Sequence, residues 1–150
     1  MACEHGVMTI FDETAARLAL RQLAEQYARG ADTRDAVLYA DVFTDDACLH
    51  TGRGEIRGRD DLLTVAPRLA RYRVTMHLVA NHYVTFDDAD HAHGLAYCQA
   101  SHVRDVDGVD WVYVMQINYH DVYVREPRGW RIAERRLELL WDEDRPLKAG

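Results

Sequence analysis

The chain lacks most of what would tie it to a membrane, a nucleic acid or a bound cofactor. Its three cysteines, Cys3, Cys48 and Cys98, are odd in number and show no CxxC spacing. That argues against a disulfide framework and for reduced thiols in a cytoplasmic protein. No apolar run approaches the ~18 residues that span a bilayer. The opening Met1-Ala2-Cys3-Glu4-His5-Gly6 has neither the basic segment nor the apolar core of a signal peptide. Basic residues are outnumbered, 18 Lys and Arg against 25 Asp and Glu for a net charge of −7. With no basic stripe, phosphate backbones are poor partners, and nucleic acid is excluded. There is no glycine-rich phosphate loop and no nucleophile elbow, Gly52-Arg53-Gly54 reading as a hairpin turn. His50, His77, His82, His102 and Asp32 could converge on a metal, but no HExxH or close Cys/His signature supports this. Neither a metal nor a cofactor is expected.

What remains is an ordinary soluble composition, 48% apolar and 29% charged over 150 residues. That length suits one domain, 1–150, burying roughly 70% of its unfolded surface. Residues 1–9 and 143–150 read as loose tails. A helix is signalled from Asp12, with Asp12 or Thr14 as cap and Leu18, Leu20, Leu23, Ala24 and Tyr27 on one apolar face. Gly30 is its expected stop. Asp32 or Thr33 then caps a short second helix through Val37, Leu38, Tyr39 and Val42. Phe43–Ala47 reads as a turn into a strand, Cys48-Leu49-His50, paired by a hairpin to Glu55-Ile56-Arg57. A third helix starts at 58–61 and buries Leu62, Leu63, Ala66 and Leu69, with Pro67 kinking or shortening it.

From Arg73 onward the pattern changes to long strands at 73–86, 92–104, 110–125 and 129–141, separated by turn-forming Asp, Gly and Pro clusters. Helices first and an antiparallel meander afterwards predict an α+β fold, helices on one face of a curved sheet. Alternation puts His77, Val79, Asn81 and Tyr83 on one face of the first long strand. It groups Ala96, Cys98, Ala100 and His102 on the second, and Met115, Ile117, Tyr119 and Tyr123 on the third. Bulges would shift this parity.

Two stretches carry the chemistry. Tyr27-Ala28-Arg29-Gly30-Ala31-Asp32 puts a phenol and a carboxylate where the first helix stops, and Thr75-Met76-His77 puts an imidazole in a strand. Taken alone, Asp32 is as readily a helix cap as a catalytic group. With the ending Gly129-Trp130-Arg131-Ile132-Ala133, these segments resemble the scytalone dehydratase and SnoaL-like branch of the nuclear transport factor 2-like superfamily over about residues 10–140. The resemblance implies a cone-shaped fold, three N-terminal helices packed on a strongly curved, mixed but mostly antiparallel sheet, with an apolar pocket between. It implies that Asp32 and His77 form the acid–base dyad shared by scytalone dehydratase and hexachlorocyclohexane dehydrochlorinase. By the same resemblance His102 matches a second catalytic histidine, and Tyr27 a catalytic tyrosine of bile acid 7α-dehydratase. His50, Tyr119 and Arg135 fall on pocket positions, although a surface pair with Glu134 or Glu138 is the preferred account of Arg135. Asn81 shares the His77 face and joins the candidate substrate-binding set.

The physics is consistent with such a pair. A carboxylate bonded to one imidazole nitrogen fixes the tautomer and leaves the other nitrogen as acceptor. A base so held contributes about 10²–10⁴ in rate, enough to eliminate water beta to a carbonyl. The expectation is a cofactor-independent lyase dehydrating a small cyclic or polyketide-like hydroxy-carbonyl compound, His102 or Tyr27 protonating the leaving hydroxyl. An isomerase, an aldol-type cyclase, and a non-catalytic ligand-binding or dimerisation module are the alternatives. A small apolar or aromatic substrate and a homo-oligomer, formed through outer-face aromatics such as Trp111, Tyr113 or Trp141, complete the expectation.

Overall fold

In the computed structural model, which describes residues 11–148, the first helix, α1, spans Glu13–Thr33. Asp12 opens it in extended conformation and accepts a hydrogen bond from the Ala15 N–H. Ala16, Leu20, Leu23, Ala24, Tyr27, Ala28 and Ala31 recur at helical spacing and are buried. Fully covering a leucine in such a face stabilises by about 1.5–3 kcal/mol. Leu18, expected on that face, lies on the solvent side instead.

Gly30 does not stop the helix. The stop is Arg34, in the left-handed region at φ 60°, where its N–H bonds the Ala31 carbonyl and the Asp35 N–H bonds the Gly30 carbonyl. The Arg34 guanidinium is tied to the Tyr72 carbonyl at 2.8 Å, which helps hold a non-glycine residue there. Gly30 answers a packing need: a Cβ on it would lie 2.6 Å from the Tyr39 backbone nitrogen. Gly30→Ala is therefore expected to lower stability by about 1–3 kcal/mol in denaturant unfolding, despite alanine's intrinsic advantage in a helix of about 1 kcal/mol.

The second helix, α2, is Ala36–Ala40, and its cap is Asp35, which accepts from the Leu38 N–H. Asp32 and Thr33, the caps expected from sequence, sit in the last turn of α1, and Val42 lies beyond α2. Strand β1 runs Phe43–Thr51, longer than expected. Between Phe43 and Cys48 its register against the last strand slips, and the exposed Asp45 and Asp46 fall in the slip. The turn signal there was thus a bulge signal. β2 is Gly54–Arg57. The third helix breaks into α3, Arg59–Leu62, and α4, Val65–Arg68, followed by a 3₁₀ turn, Leu69–Arg71. Pro67 has no N–H to bond the Leu63 carbonyl, which accounts for the break one turn before it.

The long strands are β3, Val74–Phe86; β4, His91–Val106; β5, Val109–Glu126; and β6, Gly129–Pro146. The sheet order is β2-β1-β6-β5-β4-β3, with β1 and β6 parallel and every other pair antiparallel. This is the mixed, mostly antiparallel α+β cone expected from sequence. The expected tail at 143–150 is corrected over 143–147, where Pro146 still pairs with Trp111 and the Leu147 N–H bonds the Asp110 carbonyl, while 149–150 lie outside the described residues. The expected tail at 1–9 lies outside the described residues. Bulges at Val79/His82, Gln116/Ile117 and Val122/Tyr123 bend the sheet around α1 and re-aim the side chains that follow them.

Candidate active site

The last turn of α1 and the start of β3 meet at Asp32 and His77. Asp32 Oδ1 lies 2.6 Å from His77 Nδ1, and Asp32 Oδ2 accepts from the His77 backbone N–H at 2.9 Å. One carboxylate thus grips both the ring and the chain of one residue, which fixes the ring's position and tautomer together. Since the carboxylate only accepts, Nδ1 carries the proton and Nε2 is the basic nitrogen. No hydrogen bond to Nε2 is formed among the described residues. Burial alone would raise the Asp32 carboxyl, but the hydrogen bonds and charge of His77 outweigh it and hold the group below its ordinary value. Asp32 is therefore ionised at neutral pH.

Behind this pair stand His102 and Tyr27. The His102 ring centroid is 5.5 Å from that of His77, and Tyr27 is 6.5 Å away, edge to face. His102 is 7% exposed, stacks on Tyr72 at 4.5 Å, and has no partner among the described residues for either ring nitrogen. Burial, then His77 and Arg71, push it down to about 4. It is a neutral ring at physiological pH, so it donates from a neutral N–H and not as an imidazolium.

The shift carries a stability consequence with a defined sign. The unfolded chain takes up a proton on His102 near its ordinary 6.5, while the folded ring resists until about 4. The unfolded state then binds more protons in that interval, and stability falls as pH drops through it. His82, also lowered by burial, acts in the same direction. Replacing His102 by phenylalanine is expected to flatten, though not abolish, the loss of stability across that interval in denaturant titrations.

Deeper in the cone lies a buried polar chain that the sequence did not announce. Arg135, 0% exposed, makes a bidentate pair with Asp121 at 2.7 Å for each contact. Its guanidinium lies between the Tyr27 and Tyr119 rings, 4.3 Å from each centroid. Tyr123 donates to Asp121 at 2.7 Å, so His82 must donate its Nε2–H to the Tyr123 oxygen, 3.0 Å away. Desolvation would lower Arg135, but Asp121 more than compensates and keeps it charged. The surface pairing of Arg135 with Glu134 or Glu138 is thereby corrected. The bulge opposite Val122 and Tyr123 turns Arg135 inward where simple alternation would have turned Glu134. Asp121 was findable, because it lies two residues from both inward tyrosines, Tyr119 and Tyr123.

Two expected site residues are elsewhere. Asn81 follows the β3 bulge, is exposed, and donates to the Tyr83 hydroxyl; His82 takes the inward position instead. His50 alternates with Leu49, which faces the core, so it points to the other side of the sheet, between Glu55 and Glu134. The remaining six, Asp32, His77, His102, Tyr27, Tyr119 and Arg135, form one contiguous set. A cleft of about 360 Å³ reaches Asp32 and His77 and is lined also by Arg21, Glu25, Arg29 and Val79. Its rim is charged, whereas an apolar lining was expected. Arg21 also bonds the Val79 and Ala80 carbonyls, covering the open edge of β3. No helix among the described residues is long and apolar enough to cross a membrane.

Comparison with known proteins agrees with this architecture. A family model described as a SnoaL-like domain matches residues 12–136. A search of curated proteins found no match. Among solved structures, the Kfla4162 protein from Kribbella flavida superposes with a TM-score of 0.79 at 25% identity, over 88% of this chain and 95% of its own. A type 2 hexachlorocyclohexane dehydrochlorinase (LinA) gives 0.79 at 23% identity, over 91% and 92%. A protein from Novosphingobium aromaticivorans, provisionally named a scytalone dehydratase, gives 0.79 at 19% identity, over 91% and 92%. The latter two speak to the fold alone.

Proposed function

The chain belongs to the SnoaL-like family of the nuclear transport factor 2-like superfamily, and from that premise we propose that it is a cofactor-independent lyase whose base is His77. The observation that carries the proposal is the double grip of Asp32 on His77, which leaves Nε2 as the proton acceptor. In a hydroxy-carbonyl substrate, Nε2 takes the proton alpha to the carbonyl. The C–H pair becomes the new double bond, and the beta hydroxyl leaves as water once protonated. Tyr27 or the neutral His102 supplies that proton. Such proton transfer is worth about 10²–10⁴, so the substrate must bring its own activating carbonyl. Arg21 and Arg29 at the cleft rim suit a polar, anionic or carbonyl-bearing end, which narrows the expected apolar or aromatic ligand to one with a polar handle.

The neutrality of His102 favours one variant of this reading, an isomerase or aldol-type cyclase that uses the same base but expels no hydroxyl. Mass spectrometry of products from a panel of cyclic hydroxy-ketones and polyketide-like esters separates the two. Loss of water supports the lyase, and unchanged mass supports the isomerase or cyclase. Failure to turn over any of the panel, with binding retained, supports a ligand-binding module, a reading favoured by the closely packed aromatics Tyr27, Tyr39, Phe43 and Tyr119 behind the dyad.

The same proposal includes self-association. The outer sheet face exposes Met76, Leu78, Leu140 and Trp141, the last at 57%, and Leu78, Leu140 and Trp141 line a groove together with Tyr97. Trp111 and Tyr113 are only half-buried neighbours. Trp141→Glu is expected to shift sedimentation from an oligomer to a monomer.

A further inference from the structure

On the side of the sheet turned away from His77, three strands bring together a second cluster that the dyad does not use. Cys48 and His50 alternate with core-facing Leu49 on β1, Glu55 faces His50 from β2, and Glu134 faces Cys48 from β6. One donor atom each from Cys48, His50 and Glu55 lies within 4.8 Å of the others. His50 Nδ1 is 3.2 Å from Glu55 Oε1 and 4.0 Å from Cys48 Sγ, and His50 Nε2 is 3.1 Å from Glu134 Oε1. The other Glu55 oxygen is held by Arg57 at 3.0 Å, leaving Oε1 directed at the cluster.

The His50 ring thus lies between two carboxylates, Glu134 at Nε2 and Glu55 at Nδ1, with the Cys48 sulfur on the Nδ1 side.

We propose that Cys48, His50 and Glu55 form a zinc-binding site, with Glu134 orienting the histidine from behind. The donor set of one sulfur, one imidazole nitrogen and one carboxylate oxygen suits zinc among the common divalent ions. Bond lengths of ~2.0–2.3 Å in a tetrahedron put ligand atoms roughly 3.3–3.6 Å apart, so the sulfur needs only a small inward shift. A carboxylate behind a metal-bound histidine fixes the tautomer and strengthens the ligand. Binding turns the Cys48 thiol into a thiolate and releases its proton to solvent. Thiolate and Glu55 together balance the charge of the ion, and the fourth position is open to water. Because the site joins β2 to β1, with Glu134 on β6 behind it, its role is to pin the short edge hairpin. It stands independently of the lyase reading.

Cobalt titration of the full-length protein tests this directly, since a thiolate ligand gives Co²⁺ an intense near-ultraviolet charge-transfer band. The expected result is one cobalt per chain with that band, displaced by zinc, and a melting temperature that rises with zinc concentration. Cys48→Ser should abolish the band and Cys98→Ser should keep it, because Cys98 lies on the other, core-facing side. Glu134→Gln should weaken zinc binding about 10–100-fold. Asp32→Asn should leave the band intact. Absence of the band in the unaltered protein, or an equal band in Cys48→Ser, would overturn the proposal.

Discussion

Exchanging Asp32 for asparagine is expected to lower turnover by about 10²–10⁴ while leaving the fold and substrate affinity nearly unchanged. The reason lies in the two contacts the carboxylate makes. Both oxygens accept, one from the His77 backbone N–H and one from Nδ1. Asparagine has the same shape but only one accepting oxygen. The backbone N–H is a fixed donor, so that oxygen must face it, and the amide NH₂ then faces Nδ1. The ring avoids the clash only by moving its proton to Nε2, the atom that must take the substrate's proton. The loss should therefore fall on kcat, with KM little affected and the circular dichroism spectrum intact. A variant with turnover within a few-fold of the original would remove His77 from the mechanism.

The largest expected effect on stability comes from Asp121. Asp121→Ala leaves the Arg135 guanidinium fully buried without its counter-ion, and removing one partner of such a pair costs about 3–5 kcal/mol. It also removes the acceptor for the Tyr123 hydroxyl, on which His82 in turn depends. Arg135→Met is expected to be destabilising for the converse reason, an isolated carboxylate among aromatic rings. The double variant Asp121→Leu with Arg135→Met removes both charges and should recover most of the loss, since well-packed apolar replacements of buried pairs are often neutral. Chemical denaturation of the three variants reads this out. Additive losses in the double variant would mean that the two residues are not energetically coupled.

The architecture was largely readable from the chain because it rests on local signals. Alternating runs, Asp- and Gly-rich reversals and the Asp12 cap gave the order of helices and strands, and inward Ala96, Cys98, Ala100 and His102 followed from parity alone. Asp32 and His77 were legible as a pair only through resemblance, since no local rule connects residues on a helix end and a distant strand. The errors have a shared cause. Asn81, the surface account of Arg135 and the turn expected at Phe43–Ala47 were all undone by β-bulges, each of which reverses parity or absorbs extra residues within a strand. His50 failed differently: it was placed by resemblance alone, and its alternation with core-facing Leu49 turns its ring to the other side of the sheet. Gly30 looked like a stop because glycine commonly ends helices, whereas its actual constraint is the backbone of Tyr39 pressed against it.

Nitrogen-15 NMR of the His77 imidazole, at a pH where the ring is neutral, tests most directly whether Asp32 sets up a base at Nε2. The account predicts the Nδ1–H form in the unaltered protein and the Nε2–H form in Asp32→Asn. An Nε2–H ring in the unaltered protein, or the same tautomer in both, would contradict it.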